Sequence, residues 1–350
     1  MAHFWQRLKK PFFVLAPMAD VTDLVFRRFV LRHSRPAVMH TEFFACKELI
    51  APHSQAVLIR QFGYSEAERP IVAQVFGTDP ETFFIGAQRI RALGFDGLDI
   101  NMGCPDRRVE RQGAGARLIR DPQRAQAIIA AAKAGLAGLP LTVKTRIGYQ
   151  TVETETWIGA VLAAQPEVLT VHGRTGQERS DVPAHWDEIA RAATMAHDAG
   201  VLCIGNGDIH SREQGEAYAE RFGVDGVMIG RGVFGNPWVF APTAERSAPE
   251  KLIALAQLII QFSGFWNATQ NENRLKKHFK AYVTGFPDAA TLQQRLLETR
   301  NAEQALATLA DYFHVQGWRF PQLTYEPIAL SAAFTAPLAT LIPQRRHHSP

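Results

Sequence analysis

A cysteine in the sequence NMGCP stands where a thiol could transfer a proton. Cys104 comes directly after an apolar run, and Gly103 and Pro105 beside it define a turn that presents the side chain. A thiol with a pKa of about 8.5 is a competent acid at neutral pH while it stays protonated. The alternative is a buried structural cysteine, the usual fate of this residue type. The polar, glycine-bracketed setting favours a functional Cys104 over a structural one.

Further polar residues also stand at or just past the ends of apolar runs. They are Gln74, Asn101, Lys144, Arg146, His172, Arg174, Asn206 and Asp208. Burying that many unpaired polar groups would cost roughly 2 kcal/mol or more for each group, so packing alone does not explain them. The pattern predicts that they meet around one bound ligand.

Two glycine-rich turns, GNGDI and GRG, end the last two apolar runs. The backbone amides of Gly207, Gly230 and Arg231, with the Arg231 side chain, could bind a phosphate group. Tight turns would explain the glycines but not their polar neighbours Asn206 and Asp208. The two turns therefore predict a phosphate site.

Lys144 follows another buried run and could lie against the electron-rich edge of a reduced flavin ring. It could instead pair with a substrate carboxylate or form a Schiff base. The sequence has no HExxH, no CxxC and no carboxylate cluster, so no metal site is predicted. Together with His172 and the glycine turns, Lys144 favours a bound organic cofactor.

Eight short apolar runs must position these side chains. They read FFVLAPM (12–18), AVMHTEFF (37–44), IVAQVFG (71–77), GLDINMG (97–103), LTVKTRIG (141–148), VLTVHGRT (168–175), VLCIGNGDI (201–209) and GVMIGRGVF (226–234). Continuous apolar runs are typical of parallel strands covered on both faces. With helical segments between them they predict an α/β fold, a (βα)8 TIM barrel over residues 1–242 whose reacting groups lie at the carboxyl ends of the strands. A doubly wound open sheet is the competing fold, but it more often places its phosphate loop early.

Helix start signals, an Asp followed by a Pro, stand at 79–80 and 121–122. The second of these helices is predicted to end at Gly135. The first is predicted to present one face, which comprises Phe84, Ala87, Ile90 and Arg91.

Residues 243–320 have a different texture, with apolar residues at helical spacing such as Leu252, Leu255 and Ile259. They predict a small C-terminal helical domain. Residues 321–350 have no clear period and form a C-terminal extension that we expect to be partly disordered.

The bulk composition excludes several classes of protein. The chain has 350 residues, a net charge of +4 and three widely separated cysteines. The sparse, odd cysteine count argues against a disulfide framework and favours a reducing cytoplasm. No stretch approaches the roughly 18 apolar residues of a membrane helix, and the N-terminus lacks the apolar core of a signal peptide. We expect a soluble cytoplasmic protein with no membrane association, and its mildly basic balance permits an anionic partner.

The ordered motifs resemble the tRNA-dihydrouridine synthase family. The resemblance covers about residues 10–240 and is carried by APMADVTD, HTEF, VAQVFG, DINMGCP, GAGARLIRDP, VKTRIG, VHGRT, GNGDI and MIGRGVFGNPW. A weaker likeness is LKKHFKAY in the helical segment. The single motifs are not specific, but the ordered set is.

The resemblance implies a monomeric flavin enzyme that reduces uridines in tRNA to dihydrouridine, with residues 243–320 binding the tRNA. FMN, reduced by NADPH or NADH, would pass a hydride to C6 of a flipped-out uridine, and Cys104 would protonate C5 from the opposite face. Asn101 and Arg174 would contact the substrate. The implied FMN-binding residues are Pro17, Met18, Ala19, Gln74, Lys144, His172, Asn206, Gly207, Asp208, Gly230 and Arg231.

Two basic clusters fit an RNA partner. The loop cluster follows the catalytic cysteine and comprises Arg107, Arg108, Arg111, Arg117 and Arg120. The helix cluster lies in the C-terminal segment and comprises Arg274, Lys276, Lys277 and Lys280. Charge runs are usually solvated faces, but two clusters able to flank one site favour RNA binding.

The sequence departs from the family pattern in the loop after VHGRT. Many relatives have an aromatic residue and a glycine there, where this chain has Ser180 and Val182. Two other functions stay open at this point. One is an FMN-dependent TIM-barrel oxidoreductase acting on a small molecule, which would leave the basic clusters unused. The other is an RNA-binding protein that has lost catalysis, against which the intact Cys104, Lys144 and His172 argue.

Overall fold

Eight parallel strands form a barrel in the computed structural model, which describes residues 3–51, 55–266 and 272–334. The strands are β1 (Phe12–Leu15), β2 (Met39–Ala45), β3 (Ile71–Phe76), β4 (Gly97–Met102), β5 (Leu141–Arg146), β6 (Val168–His172), β7 (Leu202–Asn206) and β8 (Gly226–Ile229). Each predicted apolar run overlaps one strand. The ladder runs β1-β8-β7-β6-β5-β4-β3-β2, and a parallel bridge between Val14 and Val38 returns β1 to β2. The predicted TIM barrel is confirmed, and the doubly wound sheet is excluded by this closure.

Helices follow the strands and cover the outside of the barrel. They are α1 (Leu24–His33), α2 (Cys46–Ile50), α3 (Gln55–Phe62), α4 (Pro80–Ala92), α5 (Arg107–Glu110), α6 (Pro122–Leu136), α7 (Thr154–Ala163), α8 (Trp186–Asp198) and α9 (Arg212–Phe222). Asp79 and Asp121 cap α4 and α6 as expected, because their carboxylates accept hydrogen bonds from backbone N–H groups in the first turn. No helix in the described ranges combines the length and apolarity needed to cross a membrane.

The buried face of α4 differs from the predicted one. Phe83, Ala87 and Ile90 are buried, whereas Phe84 is 38% exposed and Arg91 is also exposed. Because Phe83 and Phe84 are adjacent and both apolar, either could begin the buried face of α4. Packing selects the face that begins at Phe83.

The predicted end of α6 at Gly135 is wrong by one residue. The helix continues to Leu136, and Ala137 stops it in the left-handed conformation with φ 48°. Gly135 serves packing instead, because a Cβ there would lie 2.2 Å from the carbonyl oxygen of Phe84 in α4. The two helices can therefore approach closely at this position.

An apolar cluster fills the barrel interior and closes its lower end. Val72, Ile204 and Met228 point inward from their strands, and Trp5 from the N-terminal turn Phe4–Arg7 packs with them. The Trp5 ring lies 5.8 Å from that of Phe12 at the start of β1. Because this end is plugged, a ligand must enter from the carboxyl ends of the strands.

The segment after the barrel is helical, as the periodicity predicted. In its described residues it contains α10 (Ala248–Trp266), α11 (Lys276–Tyr282), α12 (Ala289–Glu298) and α13 (Ala302–Val315), of which α12 was not marked by the periodicity. They share one apolar core with the barrel helices. On α1, the Phe26 ring stacks 5.2 Å from His278, and the Phe29 ring meets Tyr282 edge-on.

The start of the C-terminal extension runs back from α13 to the barrel. Gln261 of α10 donates to the carbonyl of Thr324 at 3.2 Å, and the Phe334 ring packs edge-on against Tyr64. Residues 335–350 lie outside the described residues. The partial disorder expected of the extension stays a prediction, as do the exact domain boundaries.

Candidate active site

A cavity of about 750 Å³ opens at the carboxyl ends of the strands. It is lined by twelve of the fourteen residues that the sequence singled out for the site: Pro17, Met18, Asn101, Cys104, Lys144, His172, Arg174, Asn206, Gly207, Asp208, Gly230 and Arg231. The structure therefore brings together side chains from β1 and β4 to β8, as the barrel topology requires.

Ala19 and Gln74 do not line the cavity. Ala19 is exposed on the loop after β1. Gln74 is fully buried inside the barrel, where its Nε2 donates to Asp99 Oδ2 at 2.6 Å and its Oε1 accepts from Asn101 Nδ2 at 3.0 Å. Gln74 thus fixes the amide of Asn101 from below. The flavin contacts predicted for Ala19 and Gln74 stay predictions.

The turn that presents Cys104 is held by two side chains. Asn101 Oδ1 accepts hydrogen bonds from the backbone N–H groups of Gly103 and Cys104, at 3.1 and 2.9 Å. Arg146 Nε donates to the carbonyl of Gly103 at 2.7 Å. These contacts join β4 to the end of β5 and fix the position of the thiol.

The Cys104 thiol lies at the border of an apolar cluster and the polar cavity. It packs beside Phe43 against Ala45, Phe76 and Val109, and it stays partly exposed. Burial raises the pKa of the thiol above its ordinary value of 9.0, although the positive charges of Arg146 and Lys144 oppose this. Cys104 is therefore protonated at neutral pH.

Lys144 carries a buried charge that faces the cavity. Burial, and then the neighbouring guanidinium of Arg146, lower its pKa to about 8. Within the described parts of the chain its ammonium forms no hydrogen bond and no ion pair, although the carboxylate of Asp99 lies near enough to favour its charge. A cation that is largely removed from water with so few partners is costly. Its position therefore suits an electron-rich group bound in the cavity.

His172 is neutral in this setting. Burial, followed by the positive charges of Arg146 and Lys144, lowers its pKa well below 6.5. Its Nε2 lies 3.1 Å from Nη1 of Arg174. Because a guanidinium only donates, we assign Nε2 as the acceptor and Nδ1 as the protonated nitrogen.

Arg174 is almost fully buried and uses its donors inside the protein. Besides His172, it reaches the carboxylate of Asp208 and, through Nε at 2.6 Å, the carbonyl of Val182. Arg174 therefore connects the end of β6 to the loop in which this chain departs from its relatives. Ser180 of that loop lines the cavity. The predicted substrate contact of Arg174 stays a prediction.

The glycine turns form an anion site at one end of the cavity. Gly207 has a φ of 140°, and a Cβ there would lie 2.6 Å from that of Ala184. In the described part of the molecule, the N–H groups of Gly207 and Asp208 have no acceptor. The guanidinium of Arg231 is 55% exposed beside them. Free amides next to a cation are the donor set that binds a phosphate.

Asp208 orients the cations of this site. Burial opposes ionisation, but hydrogen bonds from Arg174 and from the N–H of Ala184 outweigh it and lower the pKa of Asp208. Its carboxylate holds Arg174 on one oxygen and Arg231 on the other, the second at 2.8 Å. A carboxylate would repel a phosphate, so its contribution is to position Arg231.

Arg146 is the site residue whose role the sequence did not specify. Its guanidinium is buried under the catalytic turn and also donates to the carbonyl of Thr175 at 2.8 Å. The sequence marked Arg146 only as a charged residue at the end of a buried strand. Its role could not be specified because the carbonyls that accept its hydrogen bonds lie in two other loops. No group of three or more metal-ligating side chains occurs in the described ranges.

The family model and the named relatives agree with one another. The family model described as "Dihydrouridine synthase (Dus)" matches residues 14–316. The protein named "Probable tRNA-dihydrouridine synthase 2" from Bacillus subtilis (strain 168) is 39% identical over 315 residues, which are 89% of this chain and 96% of the relative. "Probable tRNA-dihydrouridine synthase" from Staphylococcus aureus (strain COL) is 38% identical over 317 residues, with 89% and 95% covered. Among solved structures, histamine dehydrogenase from Rhizobium sp. 4-9 is 12% identical, has a TM-score of 0.49 and covers 71% of this chain and 48% of its own.

Proposed function

The chain belongs to the dihydrouridine synthase family, and we propose that it reduces tRNA uridines with FMN held at the barrel mouth and with Cys104 as proton donor. The reaction itself, conversion of uridine in tRNA to 5,6-dihydrouridine, follows from the family. A small-molecule oxidoreductase and an inactive RNA-binding protein are therefore discarded.

The observation that carries the proposal is one cavity with three chemically different parts. Three groups face it: the ammonium of Lys144, which forms no hydrogen bond or ion pair among the described residues, the protonated thiol of Cys104, and the free amides of Gly207 and Asp208. A cofactor with an anionic, electron-rich ring and a phosphate tail matches the Lys144 ammonium and the free amides. The Cys104 thiol is left for the substrate.

Residues at both ends of the cavity would hold FMN. At the ring end these are Pro17, Met18, Lys144 and His172, with Ala19 and Gln74 in support; at the phosphate end they are Asn206, Gly207, Asp208, Gly230 and Arg231. Bound FMN, reduced by NADPH or NADH, would supply the hydride for C6 of the uracil ring. Lys144 would stabilise negative charge that develops on the ring. Neutral His172 would add no further positive charge.

Cys104 would complete the reduction. When uracil C6 receives a hydride, C5 gains the electron pair of the double bond and must take up a proton. The Cys104 thiol can give that proton because its raised pKa keeps it protonated. The nearby charges of Arg146 and Lys144 would stabilise the thiolate that remains. Activity is therefore expected to fall at a pH above the pKa of the thiol.

The substrate base would be bound next to the thiol. A uracil in a stacked RNA strand cannot reach the cavity, so the base must leave its stack. Asn101, whose amide is fixed by Gln74, and Arg174 are the proposed contacts. We propose residues 1–242 as the catalytic domain and 243–320 as the tRNA-binding domain of a cytoplasmic monomer.

Binding of FMN and of riboflavin, which lacks the phosphate, tests the anion site. Arg231→Ala is expected to weaken FMN binding by about tenfold or more, because a hydrogen bond to a charged group contributes roughly 1.5–3 kcal/mol. Riboflavin binding should change little. The measurement is a fluorescence titration of the flavin-free protein, with formation of dihydrouridine in an unmodified tRNA transcript as the activity readout. Equal affinity of the wild type for FMN and riboflavin would contradict the phosphate site.

A further inference from the structure

Two arginines of the loop cluster converge on one aromatic ring beside the catalytic turn. The guanidinium carbons of Arg117 and Arg120 lie 5.8 and 5.5 Å from the centroid of the Tyr149 ring. Arg117 Nη1 also lies 3.5 Å from the Tyr149 hydroxyl. Each such contact is worth about 0.5–1 kcal/mol at an exposed site, enough to restrict both side chains. The ring therefore holds two positive charges close together.

The backbone fixes this pair relative to the thiol. Both arginines lie on the short helical turn Gly115–Arg120, and the N–H of Ala116 donates to the carbonyl of Cys104 at 3.0 Å. The backbone of Tyr149 is tied in turn to the loop after β6, because its carbonyl accepts from the N–H of Gln177 at 3.0 Å. The two guanidinium groups and the thiol are thus positioned by one connected set of loops.

Both charges are available to a ligand. Arg117 and Arg120 are exposed, and neither forms an ion pair with a carboxylate in the described portion of the chain. Their neighbours Arg108 and Arg124 differ, because they pair with Asp106 and Asp121. The loop therefore neutralises some of its cations and leaves this pair without a counter-charge.

A second cleft adjoins the active-site cavity on the side of the Tyr149 ring. Pro105 and Arg179 line both the main cavity and this polar cleft of about 430 Å³, whose wall also includes Tyr149, Gln177 and the carboxylates of Glu110 and Asp181. A strand whose base enters the main cavity can continue over Pro105 into this cleft. Its backbone would then pass the two guanidinium groups.

We propose that Arg117 and Arg120, held on Tyr149, bind a backbone phosphate of the tRNA next to the uridine being reduced; this assignment rests on the proposed role of Cys104. Guanidinium groups carry several donors each, which match the oxygens of a phosphodiester. A phosphate of the nicotinamide dinucleotide has the same chemistry. The RNA is favoured because Arg107 and Arg111 of the same loop are also exposed and form no ion pair among the described residues, so the cations form a row that suits a polyanion.

The salt dependence of tRNA binding tests the proposal. In the double variant Arg117→Ala/Arg120→Ala, the slope of log K against log salt concentration for an unmodified tRNA transcript should become shallower by roughly 0.7–0.9, the loss of one phosphate contact. The kcat/KM for tRNA should fall about tenfold, which corresponds to about 1.4 kcal/mol. A slope equal to that of the wild type would overturn the proposal.

Arg221→Ala is the matched control. Arg221 is also exposed and also lies on an aromatic ring, 4.9 Å from the centroid of Phe222, but it ends α9 at the opposite face of the barrel. Its removal takes away one positive charge, against two in the double variant, and should leave the slope unchanged. An equal change in slope in Arg221→Ala would show that the effect depends on net charge alone and would overturn the assignment.

Variants of the ring and the electron donor separate the remaining explanations. Tyr149→Phe should keep the tRNA kcat/KM within about twofold, whereas Tyr149→Leu should lower it, because only the second removes the aromatic face. The KM for NADPH, measured by flavin reduction without tRNA, should be the same in the double variant and the wild type. A raised KM for NADPH with an unchanged tRNA slope would assign the pair to the dinucleotide and overturn the proposal. A wild-type protein that forms no dihydrouridine would instead contradict the proposed function.

Discussion

The loop cluster and the helix cluster contain similar numbers of cations, five and four, yet their charges have different neighbours. In the loop cluster, Arg117 and Arg120 are exposed and lie on Tyr149. In the helix cluster, Arg274 is only 19% exposed and lies 3.1 Å from Asp20 and 3.3 Å from Glu42 of the barrel. Lys277 beside it donates to the carbonyl of Asp20. One cluster offers charge to a ligand, and the other contributes much of its charge to the contact between barrel and helices.

Buried acids explain the second arrangement. Asp23 caps α1 through the N–H of Phe26, accepts from Trp266 Nε1 at 3.2 Å and lies close to Glu42. Burial, and then the charge of Asp23, raise the pKa of Glu42 to about 7. Arg274 counters the negative charge of both acids. A cation in this position stabilises the fold and is less available to RNA.

Removal of Arg274 should give the largest difference between the clusters. Arg274→Ala is expected to lower the free energy of unfolding by about 2–3 kcal/mol, because Glu42 would stay buried without its cation. Arg120→Ala, the matched change in the loop cluster, should alter it by no more than about 0.5–1 kcal/mol. Urea unfolding followed by tryptophan fluorescence measures both. Similar losses in the two variants would show that the clusters do not differ in this way.

A smaller effect is expected from pH. The folded-state pKa of Glu42, about 7, exceeds its ordinary value of 4.5, so between these values the folded protein holds a proton that the unfolded chain has released. Its stabilising contribution is full below pH 4.5 and is lost as the pH rises through 7. Relative to Glu42→Gln, the wild type should lose on the order of 2 kcal/mol of stability between pH 5 and pH 8.

The loop cluster provides the control for this pH dependence, because an arginine side chain in general does not lose its proton in this range. The stability difference between the wild type and Arg120→Ala should therefore be flat from pH 5 to pH 8. A flat difference for Glu42→Gln as well would contradict the raised pKa of Glu42.

The barrel and most of the site could be predicted because both depend on local patterns. Apolar runs mark the strands, and the rule that parallel strands end at one face of a barrel brings Cys104, Lys144 and His172 together. Which residues of an apolar pattern face the core is less certain. On α4 the sequence favoured Phe84, whereas Phe83 is the buried residue.

Contacts between distant segments could not be predicted. The sequence placed Gln74 near the end of an apolar run, but it lies within β3, and a hydrogen bond to Asp99 of the next strand keeps it inside the barrel. The partner of Arg274 is Glu42, 232 residues away in the sequence. Nothing in the run RLKKHFKAY (274–282) distinguishes a cation that binds the barrel from one that binds RNA.

The most direct test of the account is the turnover of Cys104→Ala with tRNA and NADPH. If the thiol protonates C5, dihydrouridine formation should fall by about 10²–10⁴-fold, while flavin absorbance and the reduction of the flavin by NADPH stay at wild-type levels. Cys104→Ser should be similarly impaired, because a hydroxyl in the same place is a much weaker acid. Turnover of Cys104→Ala at the wild-type rate would contradict the role of Cys104 as the proton donor.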